Sequence, residues 1–186
     1  MNQILKLQLK EHIKVMESID SIRDNIEILY KMIEQSIKNK GKIMICGNGG
    51  SAADAQHFAA ELVVKFEKKR SALPAIALST DTSILTAAGN DFSFNDIFSR
   101  QVEALASKND LVIGISTSGK SQNILEALRM ANAKGAKTVI LSGKSKVDLD
   151  FINHKININS IKTSRIQEAH LFIYHVICSM LDENFR

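Results

Sequence analysis

The chain has 186 residues, of which 45% are hydrophobic and 24% charged, with a net charge of +4 and a pI near 9.0. This is the composition of a globular domain, and it excludes intrinsic disorder and a collagen-like fibre. Two cysteines are too few for a disulfide framework and favour a reduced, intracellular protein. No apolar run approaches the ~18 residues of a membrane span. The longest basic run, residues 68–70, is too short to indicate nucleic-acid binding, and the pattern leaves its role open.

Residues 3–39 have a helical pattern, because apolar residues recur at steps of three and four, as at Ile13, Met16, Ile19 and Ile22. Further apolar residues make the stripe wider than one face docked on one sheet would use. We therefore predict an N-terminal helical oligomerisation arm, residues 1–39, that covers the core and also packs against another subunit. The alternative is a helix or helix pair that only covers the core.

Five short apolar runs follow, separated by helical stretches. We predict strands at residues 42–46, 75–78, 111–115, 137–141 and 155–159, the last alternating like an edge strand. Helices are predicted from residue 51 to 66, from the end of the second polar loop to about 134, and from about 163 to 181. Short buried strands alternating with helices indicate right-handed crossovers. The prediction for residues 40–186 is a three-layer α/β/α sandwich with five parallel strands.

Two small polar loops, residues 47–51 and 116–121, each join a predicted strand to a helix. Ligands of such sheets bind beyond the carboxyl ends of the strands. In the second loop, the N–H groups at a helix start and four hydroxyls make a neutral cradle suited to a phosphate monoester. These hydroxyls belong to Ser116, Thr117, Ser118 and Ser121. The alternative is a helix N-cap by Ser118 or Ser121, with the other hydroxyls solvated.

Both loops match nucleotide-binding patterns that their context argues against. Residues 114–121 match the Walker A pattern, but Gly114 lies inside a predicted strand. No other predicted strand ends in an aspartate that would help to hold magnesium. Residues 47–52 match a dinucleotide fingerprint, but the next strand lacks the terminal acid that would bind ribose. We predict neither nucleotide hydrolysis nor NAD or FAD binding.

Candidate catalytic groups lie on two predicted helices. His57 and Glu61 are four residues apart, so they can share a metal ion, or the carboxylate can act as a base. A solvated surface ion pair is the alternative. The final helix is apolar around most of its circumference, yet polar groups that need partners line one side. These are Gln167, His170, Tyr174, His175 and Cys178. Asn90 and Asp91, in a predicted loop, can hold sugar hydroxyls or cap a turn.

Six segments together resemble the phosphoheptose isomerases of the sugar isomerase (SIS) domain superfamily, in the same order and over nearly the whole chain. They are residues 46–51 (CGNGGS), 57–61 (HFAAE), 89–92 (GNDF), 96–100 (DIFSR), 114–119 (GISTSG) and 165–168 (RIQE), with His175. The combination of His57, Glu61, Gln167 and His175 is more specific than any single motif. The chain departs from many relatives at residues 143–148 and 160–164, which bears on local substrate contacts.

The resemblance implies a flavodoxin-like SIS fold and a cytoplasmic homotetramer with active sites between subunits, with no nucleic-acid or membrane partner. It implies conversion of D-sedoheptulose 7-phosphate to D-glycero-D-manno-heptose 7-phosphate through a cis-enediol. This reaction starts the synthesis of nucleotide-activated heptose for lipopolysaccharide core or capsule. Glu61 and His175 would exchange the protons.

By the same resemblance, one Zn²⁺ per subunit would be bound by His57, Glu61, Gln167 and His175. The implied substrate-binding residues are Asn48, Gly49, Gly50, Ser51, Glu61, Asn90, Asp91, Ser116, Thr117, Ser118, Ser121 and Gln167. The spacing of two metal ligands raises a question, because Gln167 and His175 are eight residues apart, roughly 12 Å along a helix. Either the ion lies midway between two stretched side chains, or one ligand comes from a neighbouring subunit.

Other functions remain alternatives to this enzyme. One is a non-catalytic SIS module that binds a sugar phosphate or associates with a replication initiator protein. Another is an isomerase of a different sugar phosphate, or a regulatory sensor. The joint presence of Glu61 and His175 favours the heptose phosphate isomerase, because a module that only binds has no use for an acid–base pair.

Overall fold

The computed structural model describes residues 2–144 and 148–185, so residues 145–147 of the divergent segment 143–148 lie outside the described residues. The helices are α1 (Asn2–Ser18), α2 (Arg23–Lys38), α3 (Gly50–Val63), α4 (Thr82–Asp91), α5 (Ser99–Leu105), α6 (Gln122–Ala133) and α7 (Thr163–Asn184). The strands are β1 (Ile43–Gly47), β2 (Ala75–Ala77), β3 (Leu111–Ile115), β4 (Lys137–Ser142) and β5 (His154–Asn157). Short 3₁₀ turns lie at Ile19–Ile22 and Phe94–Asp96.

The five strands form one parallel sheet in the order β2-β1-β3-β4-β5, which confirms the predicted sheet. The strand order reverses between β1 and β3. Cys46 pairs with Gly114 and Gly47 with Ile115, so the two strands end at the same level. The polar loops that follow them therefore open side by side at the topological switch point, where sheets of this class bind ligands.

Two apolar layers cover the sheet, one on each face, as the predicted α/β/α sandwich requires. In β1, Ile43 and Ile45 pack in the layer with α2, α3 and α7. Met44 and Cys46 pack in the layer with α4, α5 and α6. The two cysteines of the chain are buried free thiols. No helix within the described part of the chain is long and apolar enough to cross a bilayer.

The two N-terminal helices differ in burial. Helix α2 packs on the sheet, where Leu29 and Ile33 are fully buried. Helix α1 lies against α7, and His12 Nδ1 is 2.7 Å from Glu168 Oε2. Within Asn2–Ser18, Val15 alone is buried, and several large apolar side chains are exposed, namely Ile4, Leu5, Leu7, Leu9 and Ile13. Packing of this arm against another subunit, and its boundary at residue 39, stay predictions.

The structure corrects several sequence-based boundaries. Helices α4 and α5 were not predicted, and Asn90 and Asp91 form the end of α4 rather than a loop. The reason is the N-cap of α4, where the Asp81 side chain accepts a hydrogen bond from the Ile84 N–H at 2.9 Å. Helix α3 ends at Val63 rather than at residue 66. Strand β5 covers His154–Asn157, shifted from the predicted residues 155–159.

Candidate active site

The hydroxyl-rich loop after β3 forms a cradle at the start of α6. Ser121 is the N-cap residue, yet its Oγ makes no hydrogen bond to the helix and lies 2.9 Å from the Ser116 Oγ. The Ser118 Oγ accepts a hydrogen bond from the Lys120 N–H at 3.1 Å, and Gly119 has a φ of +68°. The positive end of the α6 dipole therefore lies beside these hydroxyls. This arrangement suits an anion better than the alternative of a side-chain helix cap.

Gly114 gives the Walker A match a structural explanation. It lies inside β3, as predicted. A Cβ at this position would be 2.5 Å from the Ile124 Cγ2 and 3.2 Å from the Leu128 Cδ1. The glycine therefore lets α6 pack closely on the sheet, one of the close approaches that a glycine within a strand permits.

A pair of amides ties the loop after β1 to α6. The Asn48 Nδ2 donates to the Asn123 Oδ1 at 2.9 Å, and the Asn123 Nδ2 donates to the Asn48 Oδ1 at 2.8 Å. Each amide uses one N–H and one lone pair in this exchange. Because Asn48 is half-buried rather than buried, it keeps a second N–H and a second lone pair for a ligand.

His57, Glu61 and His175 meet between α3 and α7. The His57 Nε2 is 3.0 Å from the Glu61 Oε1 and 3.4 Å from the His175 Nε2. One possible ligand atom from each residue lies within 4.8 Å of the others. The acid of the first crossover helix and the imidazole of the last helix therefore come together within one chain. Their catalytic roles stay predictions.

The backbone of Glu61 lies well along α3 from the loop after β1. Helix α3 begins at Gly50, next to the loop after β1, and runs away from it. Glu61 lies eleven residues further along, about 16 Å of helix. The side chains of the trio lean toward the start of α3 and shorten the gap that a bound sugar phosphate has to span.

The donor set of the trio fits a divalent metal ion. Ligand atoms about 2.0–2.1 Å from a zinc ion in tetrahedral geometry lie about 3.3 Å from one another, close to the 3.0 and 3.4 Å seen here. Two imidazoles and a carboxylate also form open catalytic zinc sites. Burial lowers the pKa of His175, and the neighbouring His57 lowers it further while Glu61 opposes the change. The His175 ring is therefore neutral at neutral pH and offers a lone pair.

A buried tyrosine packs behind the trio. Tyr174 is fully buried, and its ring stacks on Phe58 with centroids 5.2 Å apart. Its hydroxyl lies 3.0 Å from the His57 Nδ1 and 3.4 Å from the Asp54 Oδ1. Burial and the neighbouring Asp54 raise the pKa of Tyr174 above its usual range, so the phenol keeps its proton. Burial also raises the pKa of Asp54, although its contacts with Tyr174 and His57 oppose this.

Arg70 fixes the end of α3 that carries Glu61. Its guanidinium donates to the backbone carbonyls of Glu61 and Leu62 at 2.6 and 2.8 Å. Its Nε donates to the Asp182 Oδ1 on α7 at 2.7 Å. The side chains of Arg70 and Asp182 are 0% and 1% exposed. The last residue of the basic run 68–70 is therefore a buried link between the two helices of the trio.

Comparison with known proteins identifies the family. The model of the SIS domain family matches residues 9–143. A phosphoheptose isomerase of a Nitratiruptor species is 50% identical over 183 residues, which cover 97% of this chain and 98% of the relative. The chain belongs to the phosphoheptose isomerases.

Solved structures of phosphoheptose isomerases have the same fold. The one from Francisella tularensis has a TM-score of 0.92 and 34% identity, with 97% of both chains covered. The one from Neisseria gonorrhoeae has a TM-score of 0.89 and 37% identity, with 98% of both chains covered. The predicted family and the five-stranded SIS fold are therefore confirmed.

Gln167, a ligand implied by the phosphoheptose isomerase resemblance, packs against the start of α3. Its amide packs on Gly50, where an added Cβ would be 2.4 Å from the Gln167 Nε2. Gln167 therefore lies beside the loop that carries Gly49, among residues predicted to bind the sugar. Its role as a metal ligand stays a prediction.

The other predicted substrate residues fall into two groups. Asn48, Gly49, Gly50 and Ser51 share the loop after β1 and the start of α3, next to the hydroxyl loop. Asn90 and Asp91 end α4 in the opposite helical layer, both are exposed, and the Asn90 Nδ2 donates to the Asp91 Oδ1 at 2.8 Å. Substrate binding by either group of this phosphoheptose isomerase stays a prediction.

Proposed function

We propose that the chain is an aldose–ketose isomerase that converts D-sedoheptulose 7-phosphate to D-glycero-D-manno-heptose 7-phosphate. The observation that carries the proposal is the meeting of Glu61 and His175, a carboxylate and an imidazole from distant parts of the sequence, beside His57. Such a pair suits proton transfer between adjacent carbons. Membership of the phosphoheptose isomerases supports this substrate.

The hydroxyl loop is assigned to the phosphate. Ser116, Thr117, Ser118 and Ser121 lie at the N-terminus of α6, where backbone N–H groups and the helix dipole favour an anion. Asn48, Gly49, Gly50, Ser51, Asn90, Asp91 and Gln167 are assigned to the sugar. The contacts of Asn48 with Asn123 and of Gln167 with Gly50 support this assignment, because they hold polar amides next to the hydroxyl loop.

We assign to Glu61 the transfer of the proton from C1 to C2. Its carboxylate takes the proton from C1 while the electron pair of that bond forms the C1–C2 double bond and the C2 oxygen takes up the carbonyl electrons. His175, neutral and partly buried, carries a proton from O1 to O2 through the cis-enediol. Glu61 then returns its proton to C2, which leaves the aldehyde at C1. The Glu61 Oε1 faces His57, so Oε2 is the oxygen left for the proton.

His57, Glu61 and His175 would hold one Zn²⁺ per subunit, with Gln167 as the ligand that the resemblance adds. Their two imidazoles and one carboxylate at 3.0 and 3.4 Å support this choice. When bound, such an ion supplies Lewis-acid polarisation of the substrate carbonyl.

We further propose a homotetramer with active sites between subunits. Two features support it. The first is the distance of about 16 Å along α3 between the polar loops and Glu61, which a loop of one subunit and the trio of another would remove. The second is exposed apolar surface, which includes α1 and a groove of about 550 Å³. The groove is lined in part by Met16, Ile19, Ile26, Phe172, Val176 and Met180.

The family resemblance supports the remaining assignments. We place the enzyme in the cytoplasm, at the first step toward nucleotide-activated heptose for lipopolysaccharide core or capsule. Its partners would be the sugar phosphate and its own subunits.

The proposal is tested by incubating the purified chain with D-sedoheptulose 7-phosphate and following the aldose by NMR. Sedoheptulose without phosphate is the matched control, and it should react far more slowly because the hydroxyl loop then has no anion to hold. Absence of aldose from the phosphorylated sugar would refute the proposed reaction. Light scattering tests the assembly, and a dilute monomer that keeps full activity would contradict the interface site.

A further inference from the structure

Tyr174 contacts the trio from its buried side. Its ring meets His57 and His175 edge-on, with centroids 5.4 and 4.9 Å apart, and stacks on Phe58. A buried phenol hydroxyl needs a hydrogen-bond partner. Two partners are in reach, the His57 Nδ1 at 3.0 Å and the Asp54 Oδ1 at 3.4 Å. These contacts connect a carboxylate, a phenol and an imidazole in one chain of hydrogen bonds.

The direction of these hydrogen bonds follows from the number of protons. A phenol has one proton to donate, whereas an ionised carboxylate only accepts. The Asp54 Oδ2 is buried and has no hydrogen-bond partner among the described residues. The other oxygen therefore needs the phenol proton to offset the cost of burial. Tyr174 donates to Asp54, and its oxygen is left to accept the Nδ1–H of His57.

This direction sets the state of the opposite ring nitrogen. A His57 ring with its proton on Nδ1 has a lone pair on Nε2, which faces the Glu61 Oε1 at 3.0 Å and the His175 Nε2 at 3.4 Å. In the metal-free chain this tautomer costs a repulsion between the lone pair and the Glu61 carboxylate, which the hydrogen bond to Tyr174 must outweigh and which a bound cation removes. Many metal sites orient a histidine ligand by a hydrogen bond to its other ring nitrogen.

We propose that Tyr174, anchored by Asp54, is a positioning residue that holds His57 in the tautomer and the orientation needed to bind a metal ion. The inference rests on the proposed function, in which the trio holds Zn²⁺. It adds Tyr174 and Asp54 to the proposed metal site, and neither residue is assigned a contact with the substrate. It also makes the orientation of His57 a property of the metal-free protein.

Tyr174→Phe tests the proposal, because it keeps the stacked ring and removes the hydroxyl. Zinc affinity of the full chain is measured by competition with a chelator. The tautomer is read by ¹⁵N NMR of the histidine rings in metal-free protein at about pH 8, above the ordinary histidine pKa of about 6.5. We expect an Nδ1–H ring for His57 in the wild type and loss of that preference in the variant. Zinc affinity should fall about 10- to 100-fold.

Tyr30→Phe is the matched control, since it removes the other tyrosine hydroxyl of the chain, which bonds to Glu34 and Asn184. It should leave zinc affinity and the His57 tautomer unchanged. Asp54→Ala combined with Tyr174→Phe should cost no more affinity than Tyr174→Phe alone, because both changes break the same chain of hydrogen bonds. If Tyr174→Phe does not fold, Asp54→Ala alone is measured in its place.

The outcomes separate this inference from the proposed metal site. A Tyr174→Phe chain with wild-type zinc affinity and an unchanged His57 tautomer overturns the role of Tyr174. A wild type that takes up no zinc refutes the metal site. In that case the NMR of the metal-free chain decides the inference, and an Nε2–H ring for His57 in the wild type overturns it.

Discussion

Replacing Asp182 by alanine is predicted to destabilise the chain strongly, because it leaves Arg70 as a buried cation without its partner. The two side chains are 0% and 1% exposed, and their N–O distance is 2.7 Å. The Asp182 Oδ2 also accepts hydrogen bonds from the N–H groups of Glu67 and Lys68, both at 2.8 Å. The substitution therefore removes an ion pair and two backbone contacts at once.

The expected loss in the free energy of unfolding is about 3–5 kcal/mol, the usual cost of removing one partner of a buried ion pair. Urea denaturation followed by circular dichroism measures it. Glu183→Ala is the matched control, since Glu183 is the next residue and its ion pair with Lys68 is about half exposed. Its effect should stay within about 1 kcal/mol. A loss below about 1 kcal/mol for Asp182→Ala would refute the reasoning.

The buried pair of Arg70 and Asp182 also predicts that the stability of the chain depends on pH. Burial works to raise the pKa of Asp182, but hydrogen bonds from the Lys68 N–H and from Arg70 outweigh it, so this pKa lies below the ordinary 3.8. The stability that Asp182 contributes is therefore fully present above pH 3.8 and is lost as the pH falls through the lower, folded value. The free energies of unfolding of the wild type and of Asp182→Ala should therefore become more similar below pH 3.8. A difference independent of pH would contradict the role of this carboxylate.

Three further predictions concern the site. Ser121→Ala should raise KM for the sugar phosphate at least about 10-fold with kcat nearly unchanged in steady-state kinetics, because a hydrogen bond to an anion contributes about 1.5–3 kcal/mol. Gly50→Ala puts a Cβ 2.4 Å from the Gln167 Nε2. Because the flexible amide can move away, the melting temperature should change little while turnover falls. Removal of metal with a chelator should abolish turnover, and added Zn²⁺ should restore it. Full activity in protein shown to be metal-free by elemental analysis would remove the metal from the proposal.

The central strands were predictable because each is a short run of apolar residues that the fold buries on both faces. The helical end of α4 was not predictable from the sequence, because Gly89, Asn90 and Asp91 favour turns and are poor helix formers. A helix already begun by the Asp81 cap continues through them. The helix propensity of these three residues alone does not reveal that the helix continues through them.

In the candidate active site, too, some contacts were predictable from the sequence and others were not. His57 and Glu61 were recognisable as a pair one helical turn apart, whereas their meeting with His175 depends on how α3 packs on α7. The contact of Tyr174 with His57 spans 117 residues, and spacing along the chain does not encode it. Arg70 belongs to a basic run that suggests a solvated surface, yet its side chain is 0% exposed because Asp182 lies opposite.

The most direct test of the central claim is isomerisation in D₂O by the wild type and by Glu61→Gln, followed by NMR. If Glu61 moves the proton between C1 and C2, the wild type should place at C2 of the aldose either the proton taken from C1 or a deuteron that Glu61 exchanged with the solvent. The variant should then lose both turnover and exchange while the fold stays intact. A variant that converts the sugar at the wild-type rate would contradict the account.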